Sequence, residues 1–388
     1  MSVAACSPWL ATSSDSGART AVVCASAVVH GNSGAESAED LSARFARPIQ
    51  GARYLNRASR LAVLAVDRLG LARCASPAGT EQLGVIAATF GAHFEQSRDQ
   101  ITELLTKERP LVSPMLGPNS IPSSISSCVS IYLDAQAFTL TFCDCGTAGI
   151  EGLAFAARAV SSGRARRVVV IGVETRPADI ESALFGESCG APPDEAYALL
   201  VGERNDCSAG GGQRTLRFVM QARRFGGSQD GGARRLALRR CLSQVAERAH
   251  KLDVPVDLFL GDLRRVGIDR ASEDLVTLPL GWENAPWLKR QVALNAELDD
   301  LMTLAPGWED AHLFDDRRCH PGLQCTAGLA HVAALHALVE SGQLPEGLIA
   351  LRRGRRALDQ LRGAIVVNAS ADGTVACTLL RAEMWGEP

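Results

Sequence analysis

The run from Thr141 to Glu174, TFCDCGTAGIEGLAFAARAVSSGRARRVVVIGVE, constrains this chain more than any other stretch. Phe138 to Phe142, FTLTF, is β-branched and aromatic and predicts a short strand. Cys143 to Gly149 is a tight turn of small residues. From Ile150 to Ser161 the apolar residues Ile150, Leu153, Ala154, Ala157 and Val160 recur at the spacing that turns one helix face into a core. Gly163 closes that helix, as glycine does where the chain must turn left-handed. Arg167 to Val173, RVVVIGV, is the continuous β-branched run of a strand buried on both faces of a parallel sheet.

A strand that enters a helix through a turn of small residues exposes a side chain at the helix N-terminus, where the dipole favours a thiolate or an oxyanion. Cys143 and Cys145 both lie in this turn. Two interpretations stay open for them. One of them is a nucleophile, or both are small buried fillers, since free cysteine is among the most buried residue types.

Composition narrows the classes. The 388 residues are 46 % hydrophobic and 21 % charged, an ordinary globular balance. That length suits two or three domains, or one duplicated fold. A net charge of −3 gives nucleic-acid binding no electrostatic support. The 12 cysteines lack regular spacing, so neither a disulfide framework nor a metal site is expected, and free thiols in a cytoplasmic protein are. No run reaches the length of a membrane span. Residues 1–20 are small and polar without a basic stretch, and predict a flexible N-terminal tail rather than a signal peptide.

The remaining elements follow in order. Ala21–Val29 reads as the first core strand, 35–50 as a loop or short helix, and Arg60–Leu69 as an amphipathic helix stopped by Gly70. Leu83–Ala88 is a strand followed by Thr89-Phe90-Gly91. Residues 110–134 end in a helix of small residues, and Ala196–Val201 is a strand. Asn205–Gln213, NDCSAGGGQ, is the clearest linker by composition. It divides the chain into an N-terminal half, 21–205, and a C-terminal half, 212–385. The second half predicts a strand at Thr215–Gln221 and a helix at Arg234–His250 with Leu236, Leu238, Leu242 and Val245 inward. It continues with a strand at Val256–Leu260, a helix stopped by Gly342, and two closing strands near Ile365–Asn368 and Cys377–Leu380. Residues 266–312 hold Trp282, Trp287 and Trp308 and fit this alternation poorly.

From about residue 20 to residue 382 these segments resemble the β-ketoacyl synthases of the thiolase superfamily. The anchors are Ala156-Ala157-Arg158, the Gly163–Arg166 turn, Gly172-Val173-Glu174, Ser113-Pro114 with Pro118-Asn119, Asp257 and Ala327-Gly328. The resemblance implies an α/β chain with the thiolase-like duplicated αβαβα five-layer fold. Counted from the anchors, the family's cysteine nucleophile falls on Gly146, one residue past Cys145. One residue rotates a helical side chain by about 100°. The first catalytic histidine position falls on Asp262 and the second on Gly322, with Arg317 at the lysine position and His320 two residues early.

Decarboxylative condensation needs a thiolate to hold the acyl chain and two imidazoles to stabilise developing charge. Gly146, Asp262 and Gly322 supply neither, so no catalytic residue is expected. The resemblance then points to a chain-length factor, the non-condensing partner of a type II ketosynthase. It implies a heterodimer with a catalytic ketosynthase subunit, formed through antiparallel pairing of the Phe138–Phe142 strand. It also implies contact with an acyl carrier protein through that complex, and no cofactor, nucleic acid or membrane. Met115, Leu116, Ile131 and Phe142 would border the interface or the acyl tunnel. Two alternatives stand beside this. One is an active acyltransferase or thioesterase using Cys145 or Cys143 with His320 as base. The other is a free-standing binding protein for an acyl thioester or a carrier protein.

Overall fold

The computed structural model describes residues 19–31, 38–49, 51–71, 81–106, 117–144, 146–175, 194–204, 214–226, 231–261, 304–306, 308–316, 325–343, 348–352, 357–370 and 373–384. The first half runs β1 (Ala21–Gly31), α1 (Ala38–Ala43), α2 (Arg57–Arg68), β2 (Leu83–Thr89), α3 (Phe94–Thr106), α4 (Ser123–Leu133), β3 (Phe138–Cys143), α5 (Ala148–Ser161), β4 (Arg167–Glu174) and β5 (Asp194–Glu203). The second runs β6 (Arg214–Phe225), α6 (Gly231–Lys251), β7 (Leu258–Gly261), β8 (His312–Asp316), α7 (Ala327–Ser341), β9 (Leu348–Arg352), β10 (Gly363–Ala369) and β11 (Thr374–Met384).

The same topology occurs twice. In the first half β2 lies parallel to both β3 and β4, β4 is antiparallel to β5, and β5 is antiparallel to β1. In the second, β7 lies parallel to both β8 and β10, β10 is antiparallel to β11, and β11 is antiparallel to β6. A short antiparallel pairing, Val22 with Arg217 and Val23 with Leu216, joins the two sets into one strand order, β3-β2-β4-β5-β1-β6-β11-β10-β7-β8-β9. Among the described strands, β9 departs from the duplication. It covers the outer edge of β8, whereas β3, the counterpart of β8, pairs only with β2 among the described strands.

Helices fill the layers. α2 and α4 pack with Val85, Val169, Ile171 and Ala198 on one outer face. α5 and α7 pack with Ile86, Val170, Leu199, Leu260 and Val366 in the middle. α6 packs with Val219, Phe259, Ile365 and Val375 on the other outer face. This is the duplicated αβαβα arrangement, and it explains the character of each helix. α5 and α7 lie between strands on both sides, so most of their residues are buried. α2 shows solvent one flank; its first turn is capped by Asn56, whose side chain accepts from Ser59 N at 2.8 Å.

Two expectations need correction. Leu236 does not face inward with Leu238, Leu242 and Val245; it is 48 % exposed. It stands two residues before Leu238, about 200° around the helix, which puts it on the opposite side. Cys24 is disulfide-bonded, against the expectation of free thiols, whereas Cys128, Cys143, Cys241, Cys325 and Cys377 are free. The sequence reading also lacked α3, β8 and β9. Among the described residues, no helix is long and apolar enough to cross a membrane, and no group of three His, Cys, Asp or Glu side chains is placed to hold a metal.

Candidate functional site

The turn between β3 and α5 is held by its own polar residues. Asp144 accepts from the backbone N of Thr147 at 3.3 Å and from the Thr147 hydroxyl. A carboxylate here satisfies an orphan amide at the positive end of α5. The Ser370 hydroxyl, just after β10, donates to the same carboxylate at 3.3 Å. The end of the second half is thus drawn onto the elbow of the first.

That closure decides what can stand at residue 146. A Cβ built on Gly146 would lie 2.8 Å from Ser370 Cα, and the Ala369 carbonyl oxygen is nearer still. These are backbone atoms and cannot swing aside. The position is therefore more than a deletion of a side chain, because the space in which a nucleophile would begin holds another strand's backbone.

The N-termini of the two central helices meet just beyond. Gly149 N of α5 donates to Cys325 O at the entry to α7, at 3.1 Å. A Cβ on Gly149 would sit 2.7 Å from that oxygen, and one on Gly328 would sit 2.9 Å from Ile150 Cβ. Glycine on both helices permits the approach. Thr326 Oγ1 and Asn368 Oδ1 are buried beside this crossing without a hydrogen-bond partner among the described residues. Asn368 Nδ2 lies 3.3 Å from His331 Nδ1, and both residues are buried.

Glu174, at the end of β4, is the charge at the centre. Its buried carboxylate accepts from Phe90 N, from Gly91 N at 3.1 Å, from the Thr89 hydroxyl at 3.4 Å, and from the Cys325 thiol at 2.8 Å. Two backbone amides from the β2–α3 turn thus stabilise one buried anion. The consequence for Cys143 is unfavourable to nucleophilic chemistry. Its side chain is exposed at the end of β3, but partial burial of the thiol, and then the Glu174 charge, push its pKa up. A nucleophilic cysteine requires the opposite shift. The pKa of His93, on the same turn, is pushed down by burial, and its Nδ1 is buried without a hydrogen-bond partner among the described residues.

The remaining expected residues divide as follows. Phe142 packs against Phe155 of α5 with ring centroids 6.1 Å apart, and also lies against Ala88, Ala148 and Cys325. Ile131, on α4, is 76 % exposed. Thr139 and Thr141 of β3 face α4, through Ser130 Oγ at 3.0 Å and Ser126 Oγ at 2.7 Å. Cys145, Asp262, His320, Gly322, Met115 and Leu116 lie outside the described residues. The sequence reading missed the Glu174 cluster and the seating of Ala369 and Ser370 on Gly146. Glu174 stood in plain view as the last residue of a buried strand, which is a signal for a partnered carboxylate.

No protein-family model matches this chain, and no curated protein matches it in sequence. Its structure does match solved proteins. Similar structures include the ishigamide ketosynthase/chain length factor, at 18 % identity and a TM-score of 0.61, covering 93 % of this chain and 99 % of that one. A type II polyketide synthase assembly, AntDE:AntF, in which an acyl carrier protein is in complex with its ketosynthase bound to the hexaketide, matches at 14 % identity and a TM-score of 0.61, over 94 % of this chain and 100 % of that one. The Streptomcyes albus JA3453 oxazolomycin ketosynthase domain OzmH KS7 matches at 14 % identity and a TM-score of 0.57, over 87 % of this chain and 62 % of that one. The fold is that of the thiolase-like ketosynthases.

Proposed function

We propose that this chain is the non-condensing, chain-length-factor-like member of a ketosynthase pair. The observation that carries the proposal is the backbone of Ala369 and Ser370 filling the space beside Gly146. A fold that keeps the elbow, both central helices and the duplicated topology, yet closes the nucleophile position with main chain, is suited to support rather than to condensation. Asp262 and Gly322 at the aligned histidine positions agree with this. The raised thiol of Cys143 argues against Cys143 as the nucleophile of the acyltransferase alternative.

The partner is a catalytic ketosynthase, and the acyl group reaches the pair on an acyl carrier protein in polyketide or fatty-acyl elongation in the cytoplasm. The open edge of β3 supports this. Its counterpart β8 is covered by β9 within the chain, and an uncovered edge strand is a template for pairing with another chain. Ile131, exposed on α4 behind that edge, adds apolar area. On this view the halves are 21–205 and 212–385, preceded by a tail, and Met115, Leu116, Ile131 and Phe142 border the interface or the tunnel.

Co-expression tests the reading. The chain with a type II ketosynthase is expected to purify as a one-to-one heterodimer by light scattering. A stable monomer that ignores every ketosynthase offered would contradict it.

A further inference from the structure

Two cysteines meet in the outer core of the second half. Cys241 lies on the inward face of α6, one turn from Ala237, Leu238 and Val245. Cys377 lies on β11 between Val375 and Leu379, on the face that α6 covers. Both cysteines are fully buried and both are free. Cys241 Sγ donates to Val375 O at 3.6 Å, which seats its sulfur over β11 within one side-chain step of Cys377. The Cys377 thiol in turn is hydrogen-bonded to Cys241; burial, and then this contact, push its pKa well up. Ala222 of β6 and Val367 of β10, both paired in register with Cys377, complete an apolar surround. Oxidation has already reached this chain elsewhere, since Cys24 on β1 is disulfide-bonded.

We propose that Cys241 and Cys377 are a site of oxidative cross-linking, where a peroxide converts the two thiols into a disulfide that ties α6 to β11. One thiolate attacks a peroxide oxygen, the O–O bond breaks, and the hydroxide that leaves takes up the thiol's proton to become water. The second thiol then attacks the sulfenic acid so formed. The S–S bond forms, the S–O bond breaks, and a second water leaves. Both sulfurs are oxidised and one hydrogen peroxide is reduced. A protonated thiol in apolar surroundings is inert, so the first step waits for α6 to lift from the sheet. Reclosure then returns the sulfenic acid to its neighbour. The product joins residues far apart in the chain, which takes freedom from the unfolded state and holds α6 down. The cross-link is a latch on the second half, and it does not depend on which partner the chain takes.

The test treats the full chain with hydrogen peroxide, quenches it, blocks remaining thiols in denaturant without reductant, and maps the peptides by mass. Wild type is expected to yield a linked pair of peptides carrying Cys241 and Cys377, lighter by two hydrogen atoms than the two thiol peptides together. The linked chain is expected to melt at least about 5 °C higher than the untreated one. The pair should form faster in urea below the unfolding transition than in buffer, because opening limits the reaction. Cys241→Ser and Cys377→Ser should each abolish both the linked peptide and the gain in melting temperature. Mapping of the wild type decides the question even where a variant folds poorly. Recovery of Cys241 and Cys377 as free thiols after peroxide has fully oxidised the exposed Cys143 overturns the proposal. So does oxidation of either buried sulfur to a sulfinic acid without linkage, and so does a linked chain that melts no higher than before.

Discussion

The carbonyl of Ala369 stands where a side chain on Gly146 would begin, with Ser370 Cα 2.8 Å from the same point. Restoring a cysteine by Gly146→Cys should therefore fail in two ways. It should give no condensing activity, and it should lower stability by about 1–3 kcal/mol, the usual cost of overpacking. Gly146→Ala should cost nearly as much, because the clash is with Cβ itself. Denaturant unfolding of the three proteins checks this; a Gly146→Cys variant as stable as wild type would contradict it.

Gly149 and Gly328 let α5 and α7 approach. Alanine is the better helix former by about 1 kcal/mol, so Gly→Ala in a helix is ordinarily favourable. Here both substitutions should destabilise, since the new methyl would meet Cys325 O at 2.7 Å in one case and Ile150 Cβ at 2.9 Å in the other. Thermal melts that rise for either variant would show that the crossing is looser than described.

Cys143 should be a slow nucleophile. Burial and Glu174 raise its thiol pKa, so at neutral pH little thiolate forms. Alkylation by iodoacetamide, followed at this residue by peptide mass mapping, should be no faster than for glutathione. A rate well above that would revive the acyltransferase interpretation.

Much of the scaffold was legible because it is simple physics. The β-branched run Arg167–Val173 and the apolar run Leu83–Ala88 became central strands buried on both faces. Gly70, Gly163 and Gly342, read as helix stops, adopt φ of 73°, 74° and 70°. The failures have equally plain causes. β8, HLFDD, is short and ends in two aspartates, so nothing in its composition marks a strand. α3 buries none of its residues, so no core contact fixed its pattern. The seating of Ala369 on Gly146 joins segments far apart in the chain, and spacing arguments do not reach across that distance.

Stability should fall on acidification. His336 is buried on α7, with Ser26 Oγ at 3.2 Å and Glu340 at 3.5 Å. Burial lowers its pKa below the ordinary 6.5, the Glu340 charge opposing in part. A group with a depressed folded pKa takes up its proton more readily in the unfolded state. The neutral histidine therefore contributes fully above about pH 6.5, and stability is lost as pH drops below it. His336→Gln should flatten the dependence of the melting temperature between about pH 7.5 and about pH 5.5. An unchanged slope would assign the effect elsewhere.

Ile131 should matter to the pair and not to the chain. It is 76 % exposed, so Ile131→Arg should alter the isolated protein by no more than about 0.5 kcal/mol. The same change should weaken association with a ketosynthase measurably by light scattering or competition. Full association by Ile131→Arg would move the interface away from α4 and β3.

The most direct test of the whole account is an acyl-transfer measurement. The chain, alone and with a co-expressed ketosynthase, is incubated with acyl carrier protein bearing a labelled acyl group, and each chain is examined by intact mass. An adduct is expected on the ketosynthase and none on this chain. An adduct on Cys143 or Cys145 would contradict it and make this chain an acyltransferase in its own right.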